Sequence, residues 1–567
     1  MLPRELMQQL ARPSWLPTCW GGRSLINCRS FATTRLAPNV VNELQARGMI
    51  ADLTSRSVTK HVEQPVTVYL GVDPSASSLH VGNLAALVGL LHFRLQGHTA
   101  IALIGGATGS VGDPSGRSAE RKALSSSQLD TNVRAITFQV TGFLDRGVPF
   151  AQSRNRRRHS PESESSLGQI RVENNLDWLG GIGLLQFLSS VGKMARISTM
   201  LSRERCVLQN VRPRRENPRL RSGGVLFPPS VKSRLESSSG LSFTEFSYQL
   251  LQAFDFLTLH QRHNCTIQLG GSDQLGNIMS GIEMIRKNQV QAQALPVDAT
   301  AQIKDEEPKL GGDHEDSAYG ITMPLLTTAS GEKFGKSAGN AIWLDPGMTS
   351  PFELYQFFLR TTDDEVHKYL KIFTFVRVIE LEAIMADHRA HSEQRFAQKI
   401  LAAEATELVH GALGLRQALA ATSLFYGSDP KTLDLAPILE ALEAKPTPNS
   451  IRPEAELPSM VLILPKDEFL GHALEKIVIA SGLATSKSRF GARFRRQREL
   501  LSLKLMPPLG LCTAQARRAI DQGLISINGT KVAPKKNQRS IEADDLLLDR
   551  VVLLKMGKQG NKVVVLE

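Results

Sequence analysis

The segment at residues 67–104 constrains the fold of this sequence more than any other. It contains two apolar runs, at residues 68–72 and 99–104, each of the length of a buried strand. Between them, leucines and valines recur every three or four residues over 84–95, which predicts a helix with one buried face that ends at Gly97. A strand, a helix and a second strand in this order predict the start of a parallel α/β sheet.

The turn between the first strand and the helix is the place where a ligand is expected. Ligands of parallel sheets bind at the carboxyl ends of the strands, where helix N-termini present free N–H groups. We expect Ser77 or Ser78 to cap the helix. The sequence HVGN at residues 80–83 then lies at this edge. A histidine near a helix start is more often a cap or a surface residue, so its place after a buried strand makes it informative.

Two glycine-rich segments and one loop with two lysines follow further predicted strands. Residues 105–121 follow the second strand, and residues 268–278, QLGGSDQLGNI, read as a strand end that opens toward a helix. The loop at 331–337, GEKFGKS, follows a short predicted strand at 321–327. The first segment is not a Walker loop, because Val111 stands where that motif requires glycine. Two lysines in a loop are ordinarily a surface feature.

A polar stripe runs through the apolar segment at residues 241–256. Tyr248, Gln252 and Asp255 lie four and three residues apart, so on a helix they share one face. Polar groups are costly to bury without partners, so the stripe either faces water or binds a ligand. Spacing alone slightly favours water.

Together, these segments resemble the signature motifs of the class I aminoacyl-tRNA synthetases, and within that class the tyrosyl-tRNA synthetases. HVGN is similar to the first signature, with Asn83 where a second histidine is usual, and GEKFGKS resembles the second signature. The resemblance covers the chain from about residue 39 to the end, apart from three segments. It implies an α/β fold: a Rossmann-like parallel-sheet catalytic domain, then a helical anticodon-binding domain and a small α+β S4-like RNA-binding domain.

The resemblance also implies roles for individual residues. The catalytic residues would be His80, Lys333 and Lys336, which stabilise charge on the phosphates of ATP. The residues that bind tyrosine would be Tyr69, Thr108, Asp113, Tyr248, Gln252, Asp255 and Gln274. Besides the three catalytic residues, those that contact ATP would be Gly71, Asp73, Ser75, Gly82, Asn83, Gly271 and Asp273. Contacts to pyrophosphate or tRNA would come from Arg117 and Arg121. The RNA-binding residues of the C-terminal module would be Arg517, Arg518, Lys531, Lys535 and Lys536.

The implied activity is the ATP-dependent activation of L-tyrosine to tyrosyl-adenylate, followed by transfer to tRNA(Tyr) in mitochondrial translation. Mg²⁺ is expected with the ATP, and the family is usually homodimeric. The five cysteines are scattered without CxxC spacing, so we expect neither a disulfide framework nor a protein-bound metal. Two alternatives remain open: an RNA-binding or intron-splicing cofactor derived from a synthetase, and a different class I ligase such as a tryptophanyl enzyme.

The composition of the sequence predicts where in the cell the chain acts. Residues 1–36 are rich in arginine, with Glu5 as their single acid, which predicts a mitochondrial transit peptide and a location in the matrix. No apolar run approaches 18 residues, so no membrane-spanning helix is expected. Most of the net charge of +12 comes from a few arginine-rich stretches, which makes it weak support for RNA binding.

A chain of 567 residues is longer than a single hydrophobic core usually supports, so several domains are expected. The predicted boundaries, in chain order, are 37–345 for the catalytic domain, 346–445 for the helical domain, 446–464 for a linker and 465–567 for the S4-like domain.

Three polar or basic segments interrupt the resemblance. They are residues 152–171, 205–229 and 489–514. Because the segments at 205–229 and 489–514 split elements that the family keeps continuous, we interpret some of the three as retained introns of a gene model. Sequencing of the transcript tests this hypothesis, since spliced message that still carries them would contradict it.

Overall fold

The computed structural model describes residues 39–114, 124–154, 167–195, 242–293, 316–326, 341–427 and 435–443, and 461–566 with gaps at 465, 467–469, 472, 481–482, 484–509, 534–539, 548 and 558–559. Several predictions fall outside the described residues: the transit peptide, the GEKFGKS loop with Lys333 and Lys336, most of the three interrupting segments, and Arg117, Arg121, Lys535 and Lys536. Contacts divide the described chain into two compact units. The first contains residues 39–345 and 360–409, and the second contains residues 346–359 and 410–566. The predicted domain boundaries stay predictions.

The first unit is built on a six-stranded sheet, which confirms the predicted α/β class. The strands are β1 (Asp52–Leu53), β2 (Thr67–Val72), β3 (Thr99–Ile104), β4 (Ile170–Asn174), β5 (Cys265–Gly271) and β6 (Tyr319–Met323). Their order across the sheet is β1-β6-β5-β2-β3-β4. All neighbours are parallel except β1, which pairs antiparallel with β6. The carboxyl ends of β2, β3 and β5 therefore meet at one edge.

Helices account for most of the remaining described chain. In chain order they are α1 (Val40–Ala46), α2 (Val58–His61), α3 (Val81–Leu95), α4 (Thr108–Val111), α5 (Ser126–Arg154), α6 (Leu176–Leu179), α7 (Leu184–Phe187), α8 (Phe243–His263), α9 (Leu275–Gln293), α10 (Pro351–Leu359), α11 (Asp363–Phe373), α12 (Val378–Ala390), α13 (Phe396–Tyr426), α14 (Leu435–Glu443), α15 (Leu474–Ala480) and α16 (Gly510–Asp521). A π-helical turn, Leu188–Gly192, continues α7. Helix α13 is broken at Gly411, whose φ of 72° favours glycine. None of the described helices is long and apolar enough to cross a membrane.

The predicted strand, helix and strand at residues 67–104 are confirmed, but the predicted cap of α3 is wrong. The helix begins after His80, and the Nδ1 atom of His80 accepts a hydrogen bond from the backbone N–H of Gly82 at 3.1 Å. Ser78 does not cap, because its hydroxyl donates to the carbonyl of Leu79 and accepts from the N–H of Asp345. The N-cap is therefore His80, two or three residues after the predicted one.

Three other boundaries differ from the prediction. Strand β6 begins at Tyr319 and ends at Met323, because Pro324 has no N–H with which to continue the ladder. The polar, acidic segment at 287–320 is predicted from its sequence to be a surface loop, but helix α9 extends into it and ends at Gln293. Both ends of the predicted insertion at 152–171 are structured, since its first three residues belong to α5 and its last two to β4.

The core of the first unit lies between the sheet and the pair α8 and α9. Tyr69 of β2 and Ile101 of β3 pack there with Phe256 of α8 and Ile278 of α9, all almost fully buried. Burial of each such side chain stabilises the folded chain by about 1.5–3 kcal/mol. Helix α8 therefore lies against the same strands whose carboxyl ends form the expected ligand edge.

The second unit contains a five-stranded sheet between two helical layers. Its strands are β7 (Val461–Leu464), β8 (Ile525–Ile527), β9 (Thr530–Lys531), β10 (Val551–Met556) and β11 (Gly560–Leu566), in the order β7-β11-β10-β8-β9. Alternate residues of β10 face opposite layers: Val552 and Leu554 pack with α15 and α16, whereas Val551 and Leu553 pack with α10, α13 and α14. The dipeptide Asn528-Gly529 predicts a hairpin turn, and the turn is present between β8 and β9, with φ of 49° and 84°.

Candidate active site

Tyr69 lies at the bottom of the ligand edge of the first unit. Its ring packs against Phe256 with 5.2 Å between the centroids, and its side chain is almost fully buried. No group among the described residues forms a hydrogen bond with its hydroxyl oxygen. Burial, with smaller contributions from Asp255 and Cys265, raises the pKa of Tyr69 well above its ordinary value. A neutral hydroxyl therefore lies here without a partner, which is costly unless a ligand supplies one.

Asp255 is a buried carboxylate held by two donors. Asn175 donates to its Oδ2 atom at 2.9 Å, and the indole of Trp178 donates to its Oδ1 atom at 2.8 Å. Burial raises the pKa of Asp255 to about 7, although the two hydrogen bonds lower it. Asn175 also donates to the hydroxyl of Thr108 at 2.9 Å. The carboxylate is thus fixed in position beside Tyr69.

A second network lines the adjoining wall. Gln252 donates to the side-chain oxygen of Gln274 at 3.2 Å, and Gln274 donates to the carboxylate of Asp113 at 2.8 Å. Asn277 donates to Gln252 at 3.0 Å and to Gln274 at 3.2 Å. Because each amide is held by another, their orientations are determined before any ligand binds.

Tyr248 connects these networks to the end of β2. Its hydroxyl donates to the Oδ1 atom of Asp73 at 3.3 Å. The same oxygen lies 3.1 Å from where a Cβ would stand on Gly105, and the Thr108 hydroxyl lies 2.6 Å from that point. Only glycine fits at position 105 without displacing these groups.

The other end of the edge is made mainly of backbone. His80 caps α3, and its backbone N–H donates to the side chain of Asn83 at 3.1 Å. Because its Nδ1 atom accepts from the N–H of Gly82, the ring proton is on Nε2. Burial lowers the pKa of His80, so the ring is neutral near pH 7. Nε2–H is therefore a neutral hydrogen-bond donor at a helix N-terminus.

The end of β2 lies beside this cap. Gly71 is exposed, and among the described residues no atom outside its chain neighbours lies within 4 Å of the position of a Cβ there. The backbone N–H of Ser75 donates to the carbonyl of Asp73 at 2.9 Å, which turns the chain toward His80. At the end of β5, a Cβ on Gly271 would lie 2.7 Å from the carboxylate of Asp273. A flat ligand can therefore approach backbone at Gly71.

The chain that follows the GEKFGKS loop pairs with the His80 turn. The N–H of Val81 donates to the carbonyl of Ile342 at 2.9 Å, and the N–H of Leu344 donates to that of Leu79 at 2.8 Å. Between these bonds, Trp343 lies opposite His80, with 6.1 Å between the ring centroids. The first signature is thus joined to residues that come five positions after the second.

Comparisons with known proteins assign the chain to a family. The family model described as class I tRNA synthetases (W and Y) matches residues 60–427. The mitochondrial tyrosine–tRNA ligase of Drosophila melanogaster is 41% identical over 389 residues, which cover 68% of this chain and 72% of that protein. The tyrosine–tRNA ligase of Opitutus terrae is 36% identical over 527 residues, which cover 93% and 99%. The chain belongs to the tyrosyl-tRNA synthetase family.

A solved structure in the same family supports the fold. The C-terminally truncated mitochondrial tyrosyl-tRNA synthetase of Aspergillus nidulans is 32% identical, with a TM-score of 0.53, and the match covers 69% of this chain and 95% of that one.

Every described residue that the family resemblance assigned to tyrosine lies in this site. Four residues that support the site had no predicted role: Asn175, Trp178, Asn277 and Trp343. The sequence NNLDWL at residues 174–179 carries a signal for two of them, because polar side chains directly after a strand fall at the ligand edge. No comparable signal marks Trp343, whose partner lies more than 260 residues earlier in the chain.

The predicted RNA-binding residues lie in the second unit. Arg517 and Arg518 are exposed on α16, and Lys531 is exposed on β9. Arg517 is paired with Glu475 at 2.8 Å, so part of its charge is already compensated. Their contact with RNA stays a prediction.

The described parts of the chain contain no group of three or more His, Cys, Asp or Glu side chains that could hold a metal ion. The Nδ1 atom of His260, which lies near Cys265 in the sequence, forms a hydrogen bond with the backbone carbonyl of Cys265 at 3.0 Å.

Proposed function

We propose that this chain is a tyrosine–tRNA ligase that forms tyrosyl-adenylate from L-tyrosine and ATP and transfers the tyrosyl group to tRNA(Tyr) in the mitochondrion. The observation that carries this proposal is the buried pair of Tyr69 and Asp255. The two groups are close enough for the carboxylate to raise the pKa of the phenol, and the hydroxyl of Tyr69 has no partner among the described residues.

The pair fits a substrate with a phenolic hydroxyl. That hydroxyl would donate to Asp255 and accept from Tyr69, which satisfies both buried groups. Phenylalanine would leave both unsatisfied, and such a site rejects the analogue without editing, a principle for which tyrosyl-tRNA synthetases are themselves the standard example. Asp113, Tyr248, Gln252 and Gln274 would hold the amino and carboxyl end of the substrate.

In the first step, the tyrosine carboxylate attacks the α-phosphorus of ATP in line, and the bond to pyrophosphate breaks. No covalent protein intermediate is needed, so the work of the protein is to position the reactants and stabilise charge on the leaving group. His80 would donate from Nε2–H to a phosphate oxygen, while Lys333 and Lys336 would add positive charge. Mg²⁺ would enter with the ATP, and its site is expected on the phosphates.

The two alternatives are less well supported. An indole N–H could donate to Asp255, but an indole has no oxygen that could accept from the hydroxyl of Tyr69, so that buried group would stay unsatisfied. A protein that only binds RNA would not need either buried group, nor the amide network of Gln252 and Gln274.

Aminoacylation of mitochondrial RNA with labelled tyrosine, tryptophan and phenylalanine tests the proposal. We expect tyrosine alone to be attached, with ATP–pyrophosphate exchange that depends on tyrosine. Exchange with tryptophan but not with tyrosine would assign the chain to the other ligase. Absence of exchange with all three, in a folded protein that binds RNA, would support the RNA-binding alternative.

A homodimer and a location in the matrix are the remaining parts of the proposal. A set of apolar side chains lies exposed near the start of α8 and on α7, which packs with the turn at 188–192: Leu184 (68% exposed), Leu185 (83%), Leu188 (46%) and Phe243 (71%). A second copy of the chain would cover such a surface. Light scattering measures the mass in solution, and a Phe243→Asp variant should shift a dimer toward the monomer.

A further inference from the structure

Trp178 is contacted from the solvent side by a cation. The guanidinium of Arg262 lies 5.2 Å from the centre of the Trp178 ring. The indole itself is only 6% exposed, and its N–H donates to Asp255. Arg262 stands on the last turn of α8, seven residues after Asp255, so the two share one face of that helix. An exposed arginine thus contacts the residue that holds the buried carboxylate.

The neighbouring residue anchors the same turn of helix. The Nε2 atom of His263 lies 2.8 Å from the carboxylate of Glu173 on β4. Two consecutive side chains at the end of α8 therefore contact residues on either side of Asn175, in the connection that supplies both donors to Asp255. This arrangement fixes Arg262 above the indole.

We propose that Arg262 is a positioning residue for tyrosine binding, which holds the indole of Trp178 so that its N–H stays aligned on the Asp255 carboxylate. The proposal rests on the proposed tyrosine–tRNA ligase function. Arg262 itself touches neither substrate nor ATP.

Three physical effects support this role. A cation over an aromatic face is attracted to the ring, and the attraction at exposed positions is modest. The cation also draws electron density from the indole, which makes its N–H a better donor, and the guanidinium shields the ring from water. At an exposed position these effects correspond to about a two- to fivefold change in an equilibrium or Michaelis constant.

The experiment compares Arg262→Met, which keeps an unbranched stem without charge, with Arg262→Lys, which keeps a cation. Arg389→Met, on the exposed side of α12, is the matched control. We expect Arg262→Met to raise the KM for tyrosine about two- to fivefold in ATP–pyrophosphate exchange, with kcat and the KM for ATP unchanged. Arg262→Lys should recover at least half of the loss, and Arg389→Met should behave as the unmodified chain.

A double-mutant cycle distinguishes this positioning role from a purely structural one. Trp178→Phe keeps a ring under the cation but removes the N–H donor. In that background, Arg262→Met should change the KM for tyrosine by less than half of its effect in the unmodified chain.

Three results would overturn the inference: an unchanged KM for tyrosine in Arg262→Met, equal increases in the KM values for tyrosine and ATP, or full additivity with Trp178→Phe. Failure of the proposed function is recognised separately, because the unmodified chain would then show no tyrosine-dependent exchange.

Discussion

The two ends of the candidate active site are built in different ways. At the end proposed to bind tyrosine, the tyrosine end, the buried Asp255 and the half-buried Gln274 are each fixed by neighbouring side chains. At the end proposed to bind the phosphates of ATP, the phosphate end, the described groups are a helix N-terminus capped by His80 and the end of β2 at Gly71, which has no side chain. Recognition of one hydroxyl needs a few directed donors and acceptors, whereas polyanionic phosphates are served by backbone N–H groups and cations. Side-chain substitutions should therefore be most damaging at the tyrosine end.

The largest effect is expected from Asp255→Ala. The change removes the acceptor for the substrate phenol and leaves the donors of Asn175 and Trp178 unsatisfied in a buried place. Hydrogen bonds to charged groups contribute about 1.5–3 kcal/mol, and a substrate hydroxyl buried without an acceptor costs about 1–3 kcal/mol more, so kcat/KM for tyrosine should fall by about 100-fold or more. Tyrosine-dependent ATP–pyrophosphate exchange measures the loss, and thermal unfolding checks that the fold is retained. Exchange near that of the unmodified chain would refute the role of Asp255.

The phosphate end is probed by His80→Asn. Asparagine is a good N-cap, so the start of α3 should keep its stability while the Nε2–H donor is lost. We expect kcat for adenylate formation to fall about 100-fold, the usual scale for one lost donor to developing charge, with little change in the KM for tyrosine. Pre-steady-state adenylate formation gives the rate.

His80→Ala is the companion variant, because it should lose the cap as well and destabilise the fold by about 1 kcal/mol. If His80→Asn retained the full rate, His80 would be a structural cap alone and the contrast between the two ends would disappear.

Tyr69→Phe should have a smaller and more selective effect. The variant removes a buried hydroxyl that has no partner among the described residues, so stability should be unchanged or increased by up to about 1 kcal/mol. The preference for tyrosine over phenylalanine should drop by about tenfold, because one of the two groups that bind the phenol is gone. Comparison of kcat/KM for the two amino acids measures this. An unchanged preference would place the discrimination on Asp255 alone.

The pH dependence of stability tests the environment of Asp255. Because burial raises its pKa to about 7, the folded chain retains a proton that the unfolded chain loses at lower pH. The contribution of Asp255 to the free energy of unfolding therefore falls as the pH rises from the ordinary pKa of an aspartate toward 7. Asp255→Asn cannot titrate, so its melting temperature relative to the unmodified chain should increase between pH 5 and pH 8. The free-energy difference across this range is at most about 3 kcal/mol. A difference that does not depend on pH would show that the carboxylate is ionised throughout.

Much of the fold could be predicted from residues 67–104, because a buried strand, an amphipathic helix and a second buried strand leave few alternatives to a parallel sheet. The errors were local. The cap of α3 was assigned to Ser77 or Ser78, but Asp345 and Leu79 occupy the hydroxyl of Ser78, and a contact so distant in sequence leaves no local pattern. The end of β6 was overestimated because apolar residues continue past Pro324, which cannot donate to the ladder.

For the site, the sequence by itself determined which chemical groups are present: the stripe of Tyr248, Gln252 and Asp255 shares one face of α8 through helical spacing alone. Whether that stripe faced water or was buried was decided by tertiary structure, which buries Asp255 between Asn175 and Trp178 and brings Tyr69 beside it. The reason is physical: helical period is a local property of the chain, whereas burial and the pairing of polar groups depend on segments far apart in sequence. The contact of Arg262 with Trp178 likewise depends on tertiary structure, since it exists only once α8 has packed on the sheet.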